Sequence, residues 1–171
     1  MFKSFLAATT VAASLSIFTA SAQTVDPVPV DTRIVTAVTL DELRSIVTGY
    51  QHTVIEDLSD QNGFLVETPG GFKYLALLRM CDEAQSCQGV VIGSVHDLPD
   101  GTSWELLNQI DAQMEAFGLT VANNQLIIDR MFILSGGVQV ENFKHEIGRL
   151  VLVAPAVVNG MNEALAAPAE G

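Results

Sequence analysis

FKYLALLRMCDEAQSCQGVVIGSVH, residues 72–96, decides the fold. Two apolar runs, Phe72–Met80 and Gln88–His96, flank a short polar loop bounded by the two cysteines. Val90, Val91 and Ile92 are β-branched, which suits a pleated, buried surface better than a helix. Nothing in the stretch has helical period, so the runs read as two strands paired antiparallel. The same reading extends upstream. Val54–Leu58 and Phe64–Thr68 flank Ser59-Asp60-Gln61-Asn62-Gly63, whose Asn-Gly tolerates positive φ, and Pro69-Gly70-Gly71 makes a second tight turn.

Helices enclose this block. Thr39 and Glu42 form a capping box, and Leu40, Leu43, Ile46, Val47 and Tyr50 follow on one face. Thr102 and Glu105 repeat the cap ahead of Trp104, Leu107, Ile110, Met114 and Phe117. Leu119–Ala122 and Gln125–Leu134 then read as a hairpin turning at Asn123-Asn124. After Gly136-Gly137 comes a last helix with Val140, Phe143, Ile147, Leu150, Val151, Ala154, Val157 and Met161 along its seam. Glu141, Lys144, His145 and Arg149 fall on its solvent side, and Pro155 is expected to kink or end it. The order is α-β-β-β-β-α-β-β-α, an α+β domain with helices packed on an antiparallel sheet. It spans residues 37–162 and is followed by a disordered tail, 163–171.

The N-terminus reads as an address. Lys3 is followed by an uncharged apolar stretch, Phe5–Phe18, and Ala20-Ser21-Ala22 is a cleavage site, so 1–22 is a signal peptide. The apolar stretch falls short of the roughly 20 residues needed to span a bilayer. Residues 23–36, with Pro27 and Pro29, read as a flexible linker, with a docked edge segment as the alternative. Export points to the periplasm, with no stable membrane insertion after cleavage. The chain carries 8 Lys+Arg against 20 Asp+Glu, a formal net charge of −12. Cleavage removes one lysine and no acid, which makes the remainder more acidic still. Such a chain repels nucleic acid and anionic lipid.

This order of elements, with particular residues, resembles the YbjN family, described as bacterial sensory transduction regulators. The likeness runs from about Val38 to Val158. It is carried by Thr39-Leu40-Asp41-Glu42-Leu43, by the pair Cys81 and Cys87, by Leu107-Asn108, and by Gly136-Gly137-Val138 with Glu141-Asn142-Phe143. Leu stands at 107 where the family commonly has Trp, and the family's frequent aromatic residue late in the last helix is lacking. The resemblance implies a fold similar to type III secretion chaperones, which are small acidic α+β dimers that bind segments of other proteins. It implies no reaction and no cofactor.

The residues themselves name no chemistry. Cys81 and Cys87 are the only cysteines. In an oxidising compartment they read as a structural disulfide, with free or metal-bound thiols and redox catalysis as alternatives. His96 with Asp97 and Asp100 lacks a second His or Cys at ligand spacing. The loop from Asp57 lacks the acidic twelfth position of a calcium loop, where Thr68 stands. Ser94 and His96 share a strand face but have no acid partner. The expectation is therefore a non-enzymatic, chaperone-like regulator holding an unknown protein partner or a second copy of itself. A periplasmic small-ligand or metal sensor is the alternative. Val140, Phe143, Ile147, Leu150 and Val151 are the candidate packing or partner surface.

Overall fold

The computed structural model describes residues 31–114 and 116–167. The signal peptide, the linker up to Val30 and the tail from Pro168 lie outside the described residues. The elements are β1 (Ile34–Val35), α1 (Leu40–Gly49), β2 (Thr53–Leu58), β3 (Gly63–Glu67), β4 (Lys73–Cys81) and β5 (Cys87–Asp97). They continue as α2 (Trp104–Asp111), β6 (Gly118–Ala122), β7 (Gln125–Ile133), β8 (Val138–Gln139) and α3 (Val140–Ala166). β2 to β7 form one sheet in the order β2-β3-β4-β5-β7-β6, antiparallel throughout, and β1 pairs with β8 beside it. The fold is α+β, with each of the six long strands within about one residue of its expected bounds.

Local chemistry explains the turns. The Thr39–Glu42 box is formed on both sides, with the Thr39 N–H donating to Glu42 Oε2 at 2.7 Å. Asn62, Asn123 and Asn124 take the left-handed backbone expected of them. Gly71, also at positive φ, closes the β3–β4 turn by donating to the Thr68 carbonyl at 2.9 Å.

Four sequence expectations need correction. Ile34 and Val35, inside the expected 23–36 linker, pair with Gln139 and Val138, so the docked-edge alternative holds there. The Arg33 carbonyl also accepts from Val140 N–H at 2.9 Å, capping the start of α3. Ser103, not Thr102, caps α2, its hydroxyl accepting from the Leu106 N–H at 3.1 Å, while the Thr102 hydroxyl turns back to the Pro99 carbonyl. That short helix ends at Asp111, so Met114 and Phe117 of the expected stripe lie beyond it, and Trp104 at its first position is 72 % exposed. Finally, α3 runs through Pro155 to Ala166, so residues 163–166 are helical and not tail.

One face of the sheet carries the core. Phe64, Val66, Tyr74, Ala76, Leu78, Val90, Ile92, Leu126, Ile128 and Phe132 pack with Leu43, Ile46 and Val47 of α1 and with the seam of α3. Val140, Phe143, Ile147 and Leu150 are buried in this core and Val151 is half-buried against it, so that seam is covered by the chain's own sheet.

Candidate functional site

An apolar surface that remains open lies farther along α3. Past Leu150 the helix turns Val153, Val157 and Gly160 toward α2, which faces them with Leu106 and Ile110. Phe117, on the segment leading into β6, closes one end. Together they bound a groove of about 610 Å³. Leu106, Ile110, Val153 and Val157 are half-buried along it while Phe117 is buried, so the walls are partly desolvated before anything enters.

Arg149 stands where this groove meets a second recess of about 570 Å³, bounded by Ala116, Gly118, Asp129, Arg130 and Met131. Its guanidinium lies 5.9 Å from the centre of the Phe117 ring, a cation–π distance. One of its nitrogens is 3.4 Å from both Glu146 carboxylate oxygens. Arg130 reaches the same carboxylate more closely, at 2.7 Å. Two guanidinium groups thus share one carboxylate. Sequence periodicity places Arg149 on the solvent side of α3 but cannot place it beside Phe117 or Arg130, which arrive from other elements. Asp129, on the opposite face of β7 from Arg130, is half-buried, and that burial raises its carboxyl above the usual range.

The other candidates separate. Cys81 and Cys87 are disulfide-bonded at the turn end of the β4–β5 hairpin. Asp82 organises their loop, its Oδ1 accepting from the Ala84 and Ser86 N–H groups at 2.9 Å each. Cys87 also exchanges both backbone hydrogen bonds with Val38, fixing the entry to α1. A disulfide of this kind fits an oxidising compartment.

His96 hydrogen-bonds Ser94 at 3.0 Å, and burial holds the His96 pKa below its ordinary value, with Asp97 acting against that shift. The described residues bring no group of three His, Cys, Asp or Glu side chains together around it or elsewhere. Asp57 is ion-paired with Arg44, and the residues after it form a turn. His52, which no sequence motif marks, hydrogen-bonds the buried Tyr74 hydroxyl at 2.9 Å, and burial lowers its pKa. No described helix is long and apolar enough to cross a membrane.

No family model matches the sequence, and no curated protein does. The structure is similar to the crystal structure of YbjN from E. coli, described there as a proposed transcription regulator. The TM-score is 0.57 at 15% sequence identity, covering 78% of this chain and 97% of that one. At that identity the likeness speaks for the fold alone. The expected α+β architecture and the solved neighbour agree, and the chain has a YbjN-like fold.

Proposed function

We propose that the chain is an exported, non-enzymatic binding module of the regulator or chaperone-like kind, which holds a segment of another protein in the groove between α2 and α3. The groove carries this reading. It is apolar, it is open to an incoming chain, and it is bounded by α3, whose seam is buried against the sheet, and by α2, which buries Leu107. Three further observations support it: the regulator description attached to YbjN, the disulfide, and an N-terminal stretch with the pattern of an export signal. The periplasm is the compartment that joins the last two.

Site-specific photo-crosslinking from position 153 in exporting cells tests the proposal. A discrete adduct that disappears in Val157→Glu supports it. Only background, identical in the two chains, counts against it.

A second reading rests on the same groove, whose volume falls in the range of small-molecule pockets. An apolar ligand with an anionic end would place that end at Arg149. A rise in Tm with a panel of such amphiphiles, lost in Val157→Glu, would favour it.

A further inference from the structure

We infer that the recess beside Arg149 is a strand-addition site, in which an extended segment of a partner protein pairs with the open edge of β7. The inference rests on the protein-binding reading above and names the site's partner more closely. β7 is nine residues long and its neighbour β6 is five. Their register ends at Gly118↔Asp129, and the chain then leaves the sheet toward buried Phe117. Among the described residues, 130–133 of β7 are therefore paired on the β5 side only.

Parity fixes which backbone groups are free. The Leu134 N–H donates to the Gln88 carbonyl of the β5 side, so even-numbered β7 residues face β5 and odd-numbered ones face away. Met131 and Ile133 each direct an N–H and a C=O into the lane that β6 vacates. Among the described residues no other backbone group pairs with them. Their side chains are exposed, 43 % and 50 %, on the helix-free face. Natural sheets usually blunt such an edge with Lys, Pro or a covering segment. Here Arg130, the one charge within it, is turned inward to Glu146.

The surroundings specify the occupant. An extended backbone satisfies the edge, and one face of the added strand would lie over Met131 and Ile133, which calls for apolar side chains at alternate positions. The other face would look toward Arg149 and the groove, where two guanidiniums share one carboxylate, so an acidic side chain among the intervening positions completes the pairing. A second copy fits less well. Pairing two β7 edges about a two-fold axis normal to the sheet puts both arginine pairs on the same side, and each copy is strongly acidic overall.

The test pans displayed random peptides of about twelve residues, long enough for one strand, against the disulfide-intact protein. It then follows backbone amide exchange by NMR with a recovered peptide bound. The expected result is slowing of exchange at Met131 and Ile133 by at least about tenfold. Ile133→Pro removes an edge N–H without touching the β5 ladder, and it should weaken binding at least about tenfold. Met131→Lys with Ile133→Lys serves as a second variant should the proline unfold the domain. Arg149→Gln should weaken only peptides with an inward-facing acid. Peptides that bind in the α2–α3 groove while leaving those two amides unchanged would overturn strand addition and keep the protein-binding reading. Failure to recover any peptide would count against both.

Discussion

The Tyr50 hydroxyl donates to the Val140 carbonyl at 2.6 Å, joining the end of α1 to the first residue of α3 across ninety positions of sequence. Lys144 lies over the same ring, 5.8 Å from its centre, and burial pushes the Tyr50 pKa up to about 12. The phenol is therefore a neutral donor throughout the physiological range. Tyr50→Phe keeps the ring packing and removes only the bond. It should cost about 1 kcal/mol in urea unfolding, with the m-value unchanged.

The Cys81–Cys87 bond closes a short loop at a hairpin that is already hydrogen-bonded through Asp82. The chain-entropy model assigns such a loop roughly 2 kcal/mol. Cys81→Ala with Cys87→Ala should lose about that much without losing the sheet. Mass spectrometry of the protein isolated without reductant should find no alkylatable thiol until reductant is added. Two alkylatable thiols in untreated protein would show that the bond does not form in the cell.

What the sequence made legible were features that a few adjacent residues determine. Thr39 and Glu42 cap α1 because they lie within one turn of each other, and Asn123-Asn124 turns the β6–β7 hairpin without outside help. The antiparallel block followed from extended runs joined by short turns with no helical pattern between them. The β1–β8 pair was not legible, because two residues per strand carry no period and their partners lie a hundred positions away. The Arg149 site was hidden for a related reason. Its meaning comes from Phe117, Arg130 and Glu146, which the fold brings together from three segments. The seam of α3 was visible, yet whether sheet or partner covers it depends on where the sheet lies.

Three substitutions in α3 separate its surfaces. Leu150 is fully buried, so Leu150→Ala should cost about 2–5 kcal/mol through lost transfer energy and the cavity left behind. Leu152 is 75 % exposed, and Leu152→Ala should change stability by less than about 0.5 kcal/mol. Pro155 sits in the helix interior, exposed, without an N–H to give to the preceding turn. Pro155→Ala should raise stability, by up to about 3 kcal/mol on helix propensity. A fall in Tm for Pro155→Ala would mean that the ring makes a contact worth more than the missing hydrogen bond.

The two half-buried histidines make the fold acid-sensitive. Burial lowers the pKa values of His52 and His96 below the ordinary 6.5. Below that pH the unfolded chain binds protons that the folded chain still refuses, so their contribution is complete above pH 6.5 and is lost as pH falls toward the folded values. The Tm should fall between pH 7 and 5, and His52→Phe with His96→Phe, if folded, should flatten that part of the profile.

Asp129 works with the opposite sign. Its carboxyl is raised above the usual 3.8 by burial, and among the described residues it has no ion-pair partner. The folded chain holds this proton more tightly than the unfolded one, so the ionised group costs stability at neutral pH. The cost disappears as pH falls through the folded pKa. Asp129→Asn should therefore raise the Tm at pH 7 by roughly 2 °C, the size of a fraction of a kcal/mol in a domain of this length. The gain should vanish near pH 4. If a partner strand occupies the neighbouring lane and desolvates the edge further, it should raise the Asp129 pKa again. A carboxyl titration followed by NMR, with and without the bound peptide, reads that second shift directly.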